Sequence, residues 1–186
     1  LELNPATNAL VFALMGIGVL SFVVGLFFNA ERTWHAFLLN HTFFMGLAIG
    51  SLFFLMIHYL SLAGWNVAAK RVSESLAFYL FLAFVFNVLL FFGLGKVYPW
   101  TNHAWMMSSE VMRGKISYFS TSFYVIRSLI FFALILIATW KLLGNSLAQD
   151  EEGGTELMLR QKPVAALFLV FFGPFFTVYS VDLIIS

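Results

Sequence analysis

The chain of 186 residues has no cysteine at all. That absence excludes disulfides, thiolate-held iron–sulfur clusters and covalently attached c-type haem, so any such redox centre belongs to another chain. Charge is also scarce. Only 10% of residues are charged and 61% are hydrophobic, against about 25% charged in soluble domains, a composition suited to lipid rather than to water. The net charge of +1 comes with no basic stripe interleaved with aromatics, which argues against nucleic acid as a partner. Lipid, other helices and lipid-soluble molecules are the expected partners. The absence of an initiator methionine and of a basic n-region speaks against a cleaved signal peptide. Because the chain stops inside the apolar run Leu183-Ile184-Ile185-Ser186, both ends are expected to be cuts in a longer protein.

What the chain does have is long apolar runs. Each is about 20 residues, the length that crosses a ~30 Å hydrocarbon layer at 1.5 Å per residue. The pattern predicts an all-α integral membrane protein, a single transmembrane domain with five spans at about 7–28, 36–62, 73–97, 122–143 and 163–185. Helix one follows Pro5. Helix three is expected to end at Gly93, Gly95 and Pro99, and helix five to start at Pro163. Residues 98–121 contain Trp100, Trp105, Arg113 and Lys115, too polar to span and too aromatic to be fully solvated, and are read as an interfacial segment. Residues 144–162 carry Asp150, Glu151, Glu152 and the Gly153-Gly154 pair and read as an aqueous loop. Trp34, Trp65, Trp100, Trp105 and Trp140 all fall at span ends, the headgroup level that indoles prefer. Basic residues number five on the side of the N-terminus (side A) and four on the other (side B), which does not orient the chain. Gly46 and Gly50 form a small-xxx-small pair, read as close packing inside the bundle. Pro174 is expected to free a backbone carbonyl in mid-span.

An ionised group near the bilayer centre costs about 2.5–3.5 kcal/mol on insertion scales, so each needs a partner or a purpose. Following chain direction through the spans places them in two levels. On side B, His41 lies about 9 Å into helix two, Arg127 is at similar depth in helix four, and Asp182 returns to that depth near the end of helix five. On side A lie His58 and Glu74, with Lys70 and Arg71 one turn before Glu74. Two readings stand for the side B set. Arg127 and Asp182 form an ion pair that joins helices four and five, with His41 satisfied by a carbonyl; or the three surround a cavity for the polar head of an isoprenoid-tailed molecule, with Tyr124 adding a hydrogen bond and imidazole or carboxylate taking a proton as the head is oxidised. On side A, Glu74 reads as a first-turn acid paired with Lys70 or Arg71, and His58 as a side chain that snorkels to the surface. Asn87, in mid-span, reads as interhelical glue. A bis-histidine haem fits badly, because His41 and His58 share one helix about 25 Å apart. No metal-ligand spacing, nucleophile motif or phosphate-binding loop is present.

A set of spaced segments gives the chain a family likeness. Arg32-Thr33-Trp34-His35-Ala36, Ala63-Gly64-Trp65-Asn66 leading to Arg71-Val72-Ser73-Glu74, Gly114-Lys115 before Phe123-Tyr124-Val125-Ile126-Arg127, Ser146-Leu147-Ala148-Gln149-Asp150 and Ser180-Val181-Asp182-Leu183 together resemble the smaller NrfD-like integral membrane subunit of bacterial alternative complex III, also called its F subunit or quinone-binding subunit two. The likeness covers nearly the whole chain. It implies the N-terminal half of a ten-helix subunit, with helices two to five as an antiparallel bundle, in the bacterial inner (cytoplasmic) membrane. It further implies a quinol:cytochrome c oxidoreductase of the respiratory chain whose iron–sulfur clusters and c-type haems sit in an iron–sulfur subunit and cytochrome c subunits, beside a sister NrfD-like membrane subunit. This chain would bind none of those groups itself and would catalyse nothing alone. A quinone or quinol is the one cofactor left to it, and proton half-channels through its two polar levels are the other expected contribution. The alternative is a non-catalytic membrane scaffold that anchors the peripheral subunits.

Overall fold

The computed structural model describes residues 4–61, 67–108, 110–152 and 156–185. It is helical throughout, with no strand among the described residues. Helix α1 runs Pro5–Ser61, α2 Val67–Leu90, α6 Thr121–Glu152 and α7 Glu156–Ser180, and between α2 and α6 stand three short helices, α3 Leu94–Val97, α4 His103–Met107 and α5 Glu110–Arg113. Four helical stretches are long and apolar enough to cross a membrane: Pro5–Ser61, Ala69–Val97, Thr121–Ala148 and Gln161–Leu183.

The expected five runs become four because the first two are one helical stretch of 57 residues broken at a single point. Asn29 has non-helical φ −156° and ψ 88°. Its Oδ1 accepts from the Arg32 N–H at 3.0 Å and its carbonyl from the Thr33 hydroxyl at 2.8 Å, so Asn29 caps a new helix that starts at residue 30. The chain reverses there. Phe22 and Trp34 would be about 18 Å apart along a straight helix, yet their rings lie 5.5 Å apart, edge to face. Thr33 also approaches Gly25 so closely that a β-carbon there would stand 2.7 Å from its Oγ1. The second limb therefore begins six residues before the expected 36. Residues 4–21 of the first limb are all exposed, and only Phe22 and Leu26 near the break join the core.

The second limb of α1 packs on α2 and α7, and α6 packs on α7 and α2. The buried face of that limb, Trp34, His41, Met45, Ala48, Leu52, Leu55 and Tyr59, follows the three-and-four spacing of one helical stripe. Gly46 and Gly50 are on the opposite face, exposed, with open space where their β-carbons would be. The expected packing of this pair inside the bundle is not what the chain adopts.

Several other boundaries differ from the expected ones, because polar stretches are folded into helices and partly buried. Helix α2 starts at Val67, not 73, and passes through a 3-10 turn at Phe91–Gly93. Gly93 does not end it but makes room for the indole of Trp34. Residues 98–121 fold as a cap on the bundle, burying Tyr98, Trp100 and Met106. Trp34 and Trp100 are thus core residues, whereas Trp105 and Trp140 are exposed; Trp65 lies outside the described residues. The expected aqueous loop 144–162 is largely helical, since α6 continues to Glu152 and α7 resumes at Glu156. Pro163 is inside α7 rather than at its start. Gly153 and Gly154 lie outside the described residues.

Candidate functional site

Arg127 and Asp182 meet. The Arg127 Nε–H donates to Asp182 Oδ2 at 2.7 Å and its Nη2–H to Oδ1 at 2.8 Å, a two-point fork between α6 and the turn that follows α7. A third donor, Nη1–H, reaches the Tyr118 carbonyl at 3.0 Å. The guanidinium carbon also lies 4.0 and 4.3 Å from the ring centroids of Tyr118 and Phe123, two rings nearly perpendicular to each other. A planar cation saturated in this way loses little by leaving water. Asp182 stands in a wide π turn, Val181–Ile185, a geometry that is rare and concentrated at functional sites. The Tyr98 hydroxyl donates to the Leu183 carbonyl at 2.9 Å and ties that turn to the cap. Burial, with Tyr124 close by, raises the Tyr98 phenol above its ordinary pKa, so it remains a donor at neutral pH. The Tyr124 ring packs at a tilt against Tyr98 and Trp100, with centroids 5.7 and 5.5 Å away. Its buried hydroxyl finds no well-formed hydrogen bond.

His41 lies apart from the pair. Its side chain is 3% exposed, it stacks on Phe37 at 6.2 Å, and neither ring nitrogen has a hydrogen-bond partner. It lines a cavity of about 320 Å³ with Phe37, Asn40, Phe44, Tyr79 and Phe86, between α1 and α2. Arg127 and Asp182 line another, of about 160 Å³, with Ile130, Phe131, Pro174, Phe175, Val178 and Tyr179. The expected three-residue constellation therefore divides into an ion pair and a solitary imidazole. Residue depth was shared, but the residues face different gaps between helices.

Side A holds a larger cluster than expected. Glu74 accepts from Arg71 Nη1 at 2.8 Å, has the Lys70 ammonium 3.7 Å away, and also accepts from the Ser146 hydroxyl. It pairs with both cations rather than one. Because α2 begins at Val67, Glu74 is in the third turn, not the first, so the helix dipole does not account for it. His58 is 7% exposed with Nδ1 unpaired; it does not snorkel outward. Ser146 and Gln161, both fully buried, come from α6 and α7, and neither was a candidate, since both fell in the expected loop. The Gln161 amide has neither atom paired, and the Tyr59 hydroxyl beside it is likewise unpaired. Native proteins fill such sets of buried polar atoms with ordered water.

Between the clusters the buried side chains are mostly apolar. Asn87 donates to Ser128 Oγ and accepts from the Tyr179 hydroxyl, each at 2.8 Å, joining α2, α6 and α7. From there toward side A, α6 buries Phe131, Phe132, Ile135 and Ala138, and its buried Thr139 is bonded back to the Ile135 carbonyl at 2.7 Å. No group of three or more metal-ligating side chains occurs among the described residues.

Comparison of the chain with protein-family models finds no match, and comparison with curated proteins finds none either.

Proposed function

We propose that the chain is a five-span membrane subunit of a bacterial quinol-oxidising respiratory complex, NrfD-like and of the alternative complex III type, and that it holds a quinol head against His41. The observation that carries this reading is the imidazole itself, buried with both nitrogens unpaired beside an aromatic-walled cavity of about 320 Å³. An unpaired buried polar group costs about 1–3 kcal/mol, and a phenolic hydroxyl would remove that cost. Flat aromatic walls suit a flat ring. On oxidation the quinol gives up two electrons and two protons to become the quinone. The electrons would leave to iron–sulfur and haem groups of partner subunits, one proton would pass to His41 from the hydroxyl it holds, and the second would leave from the other hydroxyl to water. The two limbs of α1 are read as separate spans, since 57 residues in one straight helix would extend about 85 Å, nearly three times the hydrocarbon thickness, and the chain turns back at Asn29 instead.

The polar clusters at the two ends, His58–Glu74–Ser146–Gln161 and Arg127–Asp182 with Tyr124, support a second task, proton half-channels separated by the apolar layer. A scaffold role is favoured by one observation, the complete mutual pairing of Arg127 and Asp182. The test is His41→Ala in the assembled complex, with quinol oxidation and proton release measured together. A loss of about 100-fold or more is expected from removing a proton acceptor. Wild-type turnover and proton release with intact assembly would overturn the quinol site at His41.

A further inference from the structure

We infer that residues 174–185, the last turns of α7 and the π turn after them, form a hinged gate over the α6–α7 cavity, latched by the Asp182 carboxylate on Arg127. The inference rests on the reading above only in taking a proton as what releases the latch. Four features bear on it.

A hinge is present at one end. Pro174 lies inside α7 and has no N–H, so the Val170 carbonyl loses its helical donor. Three residues on, the Thr177 hydroxyl bonds back to the Gly173 carbonyl at 2.9 Å, a substitution that loosens and bends helices. At the other end the backbone leaves α-geometry again in Val181–Ile185, so the segment is bounded on both sides by departures from the regular hydrogen-bond ladder.

Space to move is present as well. The α6–α7 cavity of about 160 Å³ is open on one side and has both the hinge residue Pro174 and the latch residue Asp182 in its wall, with Phe175, Val178 and Tyr179 between them. The walls facing that segment are Ile130 and Phe131 of α6.

The latch is electrostatic and can be switched. The segment is tied to its surroundings by the Arg127 fork, by Tyr98 to the Leu183 carbonyl and by Tyr179 to Asn87. Of these only the fork depends on ionisation. Neutralising Asp182 removes the ion-pair attraction and leaves one carboxyl oxygen as a hydroxyl that accepts poorly, so the two-point fork is weakened while the guanidinium keeps its charge. Among the described contacts, the titratable groups that act on the carboxylate are Arg127 and Tyr124 from α6, Tyr98 and Tyr118 from the cap and Tyr179 from α7.

The gate is tested by distance. Residues 1–186 contain no cysteine, so spin labels can be placed on cysteines introduced at the exposed positions Leu129 and Phe176, in the full chain in lipid nanodiscs. The expected result is one narrow distance distribution for the parent and an added longer population in Asp182→Asn, which Pro174→Ala in the same background suppresses by restoring the helical bond. A distribution unchanged by Asp182→Asn overturns the inference. If Asp182→Asn does not accumulate folded, Tyr98→Phe removes the neighbouring tether without altering charge, and the same broadening is expected; its absence overturns the gate equally. The gate and the proposed function fail separately. Labels that move in an Asp182→Asn complex with wild-type quinol oxidation and proton release retain the gate and remove its role in turnover.

Discussion

The indole of Trp34 occupies the space that a side chain on Gly93 would need, so these two residues set how closely the second limb of α1 approaches the end of α2. Gly93 is buried within a 3-10 turn, and nothing flexible is available to yield. Gly93→Ala is expected to destabilise the protein by about 1–3 kcal/mol, the usual range for overpacking. Trp34→Phe in the same chain should recover part of the loss. Thermal unfolding in detergent or nanodiscs measures both, and an unchanged midpoint for Gly93→Ala would show that the contact carries no energy.

Arg127→Ala leaves the Asp182 carboxylate, 2% exposed, without its main counter-charge. A cost of about 3–5 kcal/mol is expected. Replacing both residues with apolar ones of similar size should cost far less, because no unpaired charge remains. A double-mutant cycle with Arg127→Met and Asp182→Leu checks this, and additive single effects would contradict the pairing.

Tyr179→Phe removes only the hydroxyl that Asn87 accepts from. Interhelical hydrogen bonds in membranes average about 0.6 kcal/mol, so a small effect is expected. Asn87→Leu should cost more, about 1–2 kcal/mol, since it strands Ser128 and Tyr179 together. Equal effects from the two substitutions in unfolding measurements would mean that the buried amide does not organise the three helices.

Asn29→Ala removes the cap on the second limb of α1. The expected cost is about 1 kcal/mol, concentrated locally. Amide hydrogen exchange should quicken over residues 30–35 and remain unchanged in α6. Uniform exchange rates in parent and variant would indicate that the reversal is held by Phe22 and Trp34 alone.

Much of the architecture was legible because hydrophobic length is a one-dimensional property. The apolar stretches Ala69–Val97, Thr121–Ala148 and Gln161–Leu183 overlap the expected segments and each extend past at least one end, and the break between the first two runs was expected as a short connection. Its agent was harder to see, since Asn29 resembles any polar residue until its side chain is found bonded to the Arg32 amide. Polar stretches were the main source of error. Residues 144–162 look solvated when counted as charges and glycines, but Ser146 and Gln161 are turned inward among helices, which no composition reveals. Residues 98–121 were recognised as neither spanning nor free, yet Trp100 packs against Tyr124 of α6 as well as against its neighbour Tyr98, a contact that only the folded chain makes.

By itself the sequence determined the all-helical architecture, the absence of any thiolate chemistry and the two levels of ionisable residues, because helix length, residue type and depth along a helix are all local quantities. Only the tertiary structure decided which residues at one level meet. Rotation about each helix axis and the order of helices around the bundle turned Arg127 onto Asp182 and left His41 facing a separate cavity. Those angles are set by side-chain packing between helices, and depth says nothing about them.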